Sequence, residues 1–203
     1  MSRIAAVVLA AGFSRRLGVA KQFVDLCGKP ALQHVLDALR HTGFEPLILV
    51  VNPEVTRALA GLDTTGYRVV VNEQAAEGQS SSVRAAIAAL PPDSDAVVFV
   101  LGDQPFVDRS TIERLIELFE RTGAPIVRPR YADGPGNPVL IARPLFEELA
   151  ALTGDTGARP LFQRHADELV ECDCTDRSAP LDLDTPEDVE RARRICRERQ
   201  VQR

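Results

Sequence analysis

VVLAAGFSRRLGVAKQF, residues 7–23, runs from an apolar stretch through Gly12 and Gly18 into two adjacent arginines and a lysine. Extended back to Ile4, its apolar part (IAAVVLA, 4–10) is short, rich in β-branched residues and bounded by a turn residue, as a buried strand should be. PLILVV (46–51), YRVVV (67–71) and DAVVFVL (95–101) read the same way. Between them lie apolar stripes of helical spacing. Leu32, Val35, Leu36 and Leu39 form one, begun by Pro30 and stopped by Gly43. Val83, Ile87 and Leu90 form a second, ended by Pro91 and Pro92. Ile112, Leu115, Ile116 and Phe119 form a third, with Asp108 as its N-cap. Strand–helix–strand alternation demands parallel pairing with right-handed crossovers, hence an open α/β sheet with helices on both faces.

The later half is less regular. GAPIVRP (123–129), PVLIA (138–142) and DELVEC (167–172) read as strands. RPLFEELAAL (143–152) and GARPLFQRHA (157–166) read as helices, and a last helix starts near Pro186. With 203 residues and no linker, repeat or low-complexity segment, one domain is expected.

Composition narrows the function. A net charge of −5 argues against a nucleic-acid partner. No apolar run approaches a membrane span and no signal-peptide pattern opens the chain, so no membrane partner and a cytoplasmic location are expected. The four cysteines, Cys27, Cys172, Cys174 and Cys196, lack zinc-site spacing and read as reduced thiols. The first 30 residues nevertheless carry Arg3, Arg15, Arg16, Lys21 and Lys29 against Asp25 alone. A local positive site on an acidic chain suits a small anionic ligand.

Ligands of such sheets bind at the carboxyl ends of the strands, which selects three loops. After the first strand, LAAGFSRRLG lacks both common phosphate-loop patterns, G-x-x-x-x-G-K-[ST] and G-x-G-x-x-G. Its small residues Ala10, Ala11 and Gly12 still let backbone amides approach an anion, with Arg16 and Lys21 supplying charge; the alternative is an ordinary turn with solvated basic side chains. After the third strand come Asn72 and EGQSSS (77–82), where Gly78 permits an unusual turn and main-chain groups could read a base, or the serines simply cap a helix. GDQP (102–105) puts Asp103 at the tip of an apolar strand, a place for a Mg²⁺ ligand or a turn cap. In PLDLDTPEDVERA (180–192), Thr185, Pro186 and Asp188 make a capping-box-like helix start, and Asp182 or Asp184 offers a second metal carboxylate.

Together these loops resemble the MobA-like nucleotidyltransferases, most closely the molybdenum-cofactor cytidylyltransferases. Their pattern L-A-A-G-x-S-x-R-M-G-x-x-K stands here as LAAGFSRRLGVAK, with Leu17 in place of methionine. GKP, EGQSSSVRAAI, GDQP, GNPVLI, GDTGAR and DLDTPED follow in order. The resemblance implies a Rossmann-like, nucleotide-diphospho-sugar transferase fold with a mostly parallel central sheet. It implies a nucleotide-binding half of about 1–108 and an acceptor-binding half of about 109–203. It also implies a Mg²⁺-dependent transfer of CMP from CTP to a molybdopterin-type phosphate, with release of pyrophosphate and a molybdoenzyme as client.

Carried across, Leu9, Ala10, Ala11 and Gly12 would contact nucleotide, with Arg16 and Lys21 on the triphosphate. Asn72, Gly78 and Ser82 would lie around the base, and Asp103 and Asp184 would hold the metal. Asn137, Pro138, Asp155 and Arg159 fall on the acceptor side, and Arg16, Lys21 and Asp103 are the catalytic candidates. LAAG favours CTP in this family, because the Ala11 methyl would fill space that a purine needs. The guanylyl branch is one alternative, and a non-catalytic nucleotide or pterin carrier for a molybdoenzyme is another. KQFVDLCGKP (21–30) also resembles the methylerythritol-phosphate cytidylyltransferases, which have a longer first loop and lack GDTGAR.

One feature bears on Lys21 directly: the chain has two lysines, Lys21 and Lys29, and 22 arginines. Where a sequence has otherwise settled on guanidinium, a retained ammonium suggests geometry that arginine cannot reproduce. Lys21→Arg is therefore expected to slow turnover although charge is kept; an unchanged steady-state rate would refute the inference.

Overall fold

The computed structural model describes residues 2–13, 20–40 and 42–201. Arg16 lies outside the described residues. The chain begins with β1 (Ile4–Ala10), then a small antiparallel hairpin of β2 (Asp25–Leu26) and β3 (Lys29–Pro30), and α1 (Ala31–Leu39). Next come β4 (Leu47–Val51), α2 (Pro53–Ala58), β5 (Tyr67–Val71), α3 (Gln79–Ala89), β6 (Ala96–Leu101) and α4 (Arg109–Thr122). The later half supplies β7 (Ile126–Tyr131), β8 (Gly134–Pro135), β9 (Val139–Ala142), α5 (Phe146–Ala150), α6 (Arg159–Arg164), β10 (Leu169–Cys174) and α7 (Pro186–Val201).

Eight strands form one sheet in the order β10–β7–β9–β6–β1–β4–β5, with β8 paired to β7. β1 sits between β4 and β6, parallel to both; β5 pairs in parallel with β4, and β10 with β7. β9 runs antiparallel to β6 and β7, so the expected sheet is mostly, not wholly, parallel. The ends of β1 and β6 are adjacent, because Leu9 is in register with Leu101.

Alternation along β1 explains why both faces are covered. Ala6, Val8 and Ala10 join one apolar cluster with Leu32, Val35, Leu36 and Leu39 of α1 and Ile112 and Leu115 of α4. Ala5 and Val7 join another with Val83 of α3, Leu149 of α5 and Leu161 of α6. Asp108 caps α4 as expected, its Oδ1 accepting from Ser110 N at 3.2 Å. Gly123, at φ 64°, ends that helix in the left-handed conformation. A third cluster seats Val189, Ala192 and Cys196 of α7 on Leu26 of the β2–β3 hairpin and on Val24 just before it.

The sequence reading did not foresee the hairpin, α2 or β8. α2 has a clear local signal in Asn52-Pro53: the Asn52 Oδ1 accepts from Val55 N at 2.8 Å, and Pro53 opens the helix. RPLFEELAAL splits into a 3₁₀ turn, Arg143–Leu145, and the short α5.

Gly102 closes the seam between β6 and β1. A Cβ there would lie 2.8 Å from Ala10 Cβ and 3.2 Å from Leu32 Cδ1, while Gly102 N donates to Leu9 O at 2.9 Å. Gly102→Ala should therefore destabilise the fold by about 1–3 kcal/mol, the usual cost of overpacking a tight core. Urea unfolding of the two proteins measures it.

Candidate active site

The first loop leaves β1 with its carbonyls tied down from inside. Gln22 Nε2 donates to Ala10 O and Gly12 O, each at 3.0 Å, and Asn52 Nδ2 donates to Ala11 O at 3.0 Å. With Leu9 O held by Gly102 N, four successive carbonyl dipoles are satisfied within the protein. An anion arriving over this loop is therefore not met by four unpaired carbonyl oxygens. A Cβ on Gly12 would meet nothing within 4 Å, so the space there is open. Neither Gln22 nor Asn52 was singled out from sequence; both are buried amides, and Asn52 carried a local signal only as the N-cap before Pro53.

Lys21 follows that loop directly, at the start of a 3₁₀ turn, Lys21–Phe23. Its ammonium donates to Asp103 Oδ2 and, at 3.1 Å, to Asp184 Oδ1. Lys21 and Asp103 are largely buried and Asp184 is more exposed. Burial works against the lysine charge, but the charges and hydrogen bonds of the two carboxylates outweigh it and raise its pKa. It is an ammonium throughout the physiological range.

The two upstream aspartates divide. Leu183 is fully buried and its N donates to Asp103 O at 3.2 Å, which pins this segment beside the β6 loop. Asp184 then meets Lys21, whereas Asp182 accepts from Gln104 Nε2 at 2.9 Å. Burial first, then the charge of Asp103, pushes the Asp182 pKa up. The capping box is reciprocal: Asp188 Oδ2 accepts from Thr185 N at 2.9 Å and Thr185 Oγ1 accepts from Asp188 N at 3.2 Å. Asp188 is thus part of the helix start, and Asp184 is the residue it aims.

On the other flank, Gly78 at φ +106° joins the turn to α3. A Cβ there would lie 2.8 Å from both Asp155 Cα and Gly154 O, so only glycine lets GDTGAR dock here. Gln79 N donates to Asp155 Oδ1 at 2.9 Å and Ser80 N to Gly154 O at 3.2 Å. Asp155 therefore caps α3. Asn72 faces inward, its Nδ2 donating to Ser81 Oγ at 2.8 Å and Ser82 Oγ at 3.0 Å and its Oδ1 accepting from Gln74 N. It organises the turn.

Between these flanks lies a cleft of about 220 Å³ whose walls include Leu9, Gln79, Arg128, Asn137, Arg159 and Phe162. It brings Asn137 and Arg159 to the ends of β1 and β6, with Pro138 next in chain to the wall. Arg128 was missed by the sequence reading. Its Nη2 and Nε donate to Glu171 Oε1 at 2.7 and 3.1 Å, an ion pair across adjacent strands. A larger hollow of about 390 Å³ lies elsewhere, against Cys27, Lys29, Phe106, Cys196 and Arg199. None of the selected site residues lines it, so size does not locate the chemistry. Lys29 belongs to that side and pairs with Asp37, so of the two lysines only Lys21 enters the cluster.

One expectation changes. Ala11 is 3% exposed and packs with Ile48, Val50 and Ala75 beneath the loop. Its methyl points into the core, so it cannot occupy base space directly, and any effect on base choice passes through packing. Also, among the described residues no three His, Cys, Asp or Glu side chains are grouped for a metal. Two carboxylates held at one ammonium are instead the donor set of a hard cation whose remaining ligands come from substrate phosphate and water, so Asp103 and Asp184 fit a divalent cation.

The chain matches the MobA-like NTP transferase domain family over residues 6–169. It is 31% identical over 198 residues to a nicotine blue oxidoreductase of Paenarthrobacter nicotinovorans, covering 93% of this chain and 95% of that one. It is 32% identical over 130 residues to 2-C-methyl-D-erythritol 4-phosphate cytidylyltransferase of Desulforamulus reducens, covering 61% of this chain and only 56% of that relative. Among solved structures, Rv0371c of Mycobacterium tuberculosis superposes with TM-score 0.83 at 37% identity, covering 95% of this chain and 98% of that one. Its complex with manganese superposes with TM-score 0.80 at 34% identity, over 95% and 99%.

The fold is thus the Rossmann-like nucleotide-diphospho-sugar transferase fold, and the class is that of nucleotidyltransferase enzymes. The chain belongs to the MobA-like NTP transferase family. Among the described residues no helix is long and apolar enough to cross a membrane.

α6, which begins with Arg159, is fastened at its far end by His165. That ring bonds Glu168 Oε1 and Glu148 Oε1, each at 2.9 Å, and these bonds, Glu168 first, raise its pKa. A raised folded-state pKa gives stability that is present below the unfolded value of about 6.5 and lost as pH rises through the folded one. His165→Gln should therefore cost more stability near pH 5.5 than near pH 8.5, as denaturant midpoints at the two pH values will show.

Proposed function

We propose that this protein transfers CMP from CTP to the terminal phosphate of a molybdopterin-type acceptor. The observation that carries the reading is the convergence of Lys21, Asp103 and Asp184 beside a loop whose carbonyls are held inside, next to a cleft carrying Arg128 and Arg159. Leu9 to Gly12, with Arg16 and Lys21, hold the triphosphate, and the turn from Gly78 to Ser82 faces the base. Residues of about 1–108 then make the nucleotide half, and about 109–203 the acceptor half, of one domain.

Arg159 and Arg128 bring the acceptor phosphate toward the α-phosphorus. One of its oxygens attacks in line, a new P–O–P bond forms, and the bond to pyrophosphate breaks. A phosphate is already a nucleophile at neutral pH, so no general base is required; the protein's part is to position two anions and offset their repulsion. Asp103 and Asp184 would hold a divalent cation, Mg²⁺ in this reading, which supplies charge neutralisation on the phosphates. The manganese complex of the 34% identical relative supports a divalent cation here. A client molybdoenzyme would receive the product.

A second reading has one observation behind it: the relative matched over nearly its whole length is named an oxidoreductase acting on nicotine blue. Incubation with that dye and a nicotinamide reductant, read by loss of colour, tests it alongside.

Thermal shifts with CTP, GTP, ATP and UTP, each with and without Mg²⁺, test the main reading. A ligand at 100 times its Kd adds about 2.7 kcal/mol to the native state. The largest Mg²⁺-dependent shift is expected with CTP, and Asp103→Ala should keep the fold while losing that dependence and turnover. A GTP preference would move the reaction to the guanylyl branch. No Mg²⁺-dependent shift with any nucleotide would overturn the reading.

A further inference from the structure

The ammonium of Lys21 occupies the ground between Asp103 and Asp184 that a dication would need. It donates to one oxygen of each carboxylate, so a metal ligated by these two residues has to share them with a cation already in place. Its side chain is 15% exposed, and the neighbouring Asp103 17%, so the contact is well shielded from water and salt. A metal arriving alone has to displace this cation and then lie beside it, two positive centres sharing two carboxylates. Triphosphate changes that balance, because its negative charge offers the displaced ammonium a new partner.

The backbone permits such a change without unfolding. Lys21 is held in its 3₁₀ turn by Phe23 N bonding Ala20 O at 2.9 Å and Val24 N bonding Lys21 O at 3.3 Å. The adjacent Gln22 clamps the first loop. Rotation of the long Lys21 side chain moves the ammonium while these backbone bonds stay in place.

We propose that Lys21 is a resident counter-ion of the cation site, so that a divalent cation enters together with nucleoside triphosphate, which draws the ammonium away, and not ahead of it. This rests on the nucleotidyl-transfer reading for the second partner, but the competition between Lys21 and metal stands on the geometry alone. By linkage, the nucleotide and the cation must each tighten the other's binding by the same factor, and the lysine is the element that couples them.

The two-lysine composition makes the test direct. Protein labelled with ¹³C-lysine gives two sets of side-chain signals. Lys29, paired with Asp37 on the other side, is the internal reference. Lys21→Met assigns the signals and, in parallel, Mn²⁺ binding without nucleotide is followed by the EPR signal of free Mn²⁺. Lys21→Met should bind Mn²⁺ alone about tenfold more tightly than wild type, a conservative gain for removing a shielded charge from a cation site. Adding Asp184→Asn should abolish that gain.

In wild type, Mg²⁺ alone should leave the Lys21 signal in place, and Mg²⁺ with CTP should move it. Equal Mn²⁺ affinity in wild type and variant, or movement of the Lys21 signal by Mg²⁺ alone with the same midpoint as with CTP, overturns the proposal. If Lys21→Met does not fold, Lys21→Gln replaces it and the wild-type signals decide independently. A gain in Mn²⁺ affinity with no response to any nucleotide would leave the counter-ion assignment standing and remove the transferase substrate instead.

Discussion

Asp103, Asp182 and Asp184 stand together beyond the carboxyl end of the central strand β6, two of them bonded to the same ammonium. Gathering like charges on the edge of an apolar core is costly, and it is Lys21 that makes it tolerable. The three partners come from three remote parts of the chain. The turn after the first loop brings Lys21, the end of β6 brings Asp103, and the segment before α7 brings Asp184. Much of the fold can be read as the means of holding those three ends in register. Parallel pairing of β1 with β6 aligns the first two, and the seam at Gly102 lets them close. α7, seated on the β2–β3 hairpin, delivers the third, with Leu183 buried as its anchor.

Around that charge cluster the protein places groups that shape a surface for anions. Gln22 and Asn52 spend their amides on carbonyls of the first loop, so the loop's acceptors are satisfied internally. Such buried side-chain amides are demanding: each leaves an unsatisfied group if its partner moves, which keeps the loop in one arrangement. On the opposite flank, Arg128 and Arg159 line the cleft, with Glu171 holding Arg128. An anion can thus be approached from both sides without a titrating catalytic group, which suits a transfer between phosphates.

The two segments proposed to hold base and acceptor are also bonded to each other. Asp155 and Gly154, in the segment matched to acceptor binding, accept from Gln79 N and Ser80 N of the turn matched to base binding. The bare backbone of Gly78 permits that approach. A shift in either segment is therefore felt by the other, so on the proposed reading the nucleotide and acceptor sites share one piece of framework.

Regular periodicity made the first half legible: β1, β4, β5, β6, α1 and α4 stand nearly where strand and helix patterns put them, because each presents its apolar residues at a single period. Short elements were less so; β8 and the hairpin have too few residues to show a period, and α2 was hidden by its polar sequence although Asn52-Pro53 announced its start. At the site, local chemistry was enough to single out Lys21, Asp103 and the capping box at Thr185. Alternation alone left Asp182 and Asp184 equivalent, since a period of two gives them the same side. The family resemblance favoured Asp184, and the tertiary structure gives the physical difference, through Gln104 for Asp182 and Lys21 for Asp184. It also turned the Ala11 methyl into the core, gave Asp155 to a helix end and brought Arg128 to the cleft. The residue types and their order along the chain determine which chemistry can be assembled. Which oxygen faces which nitrogen depends on how segments far apart in the chain pack, 78 residues for Gln104 and Asp182 and 163 for Lys21 and Asp184, and no local pattern contains that.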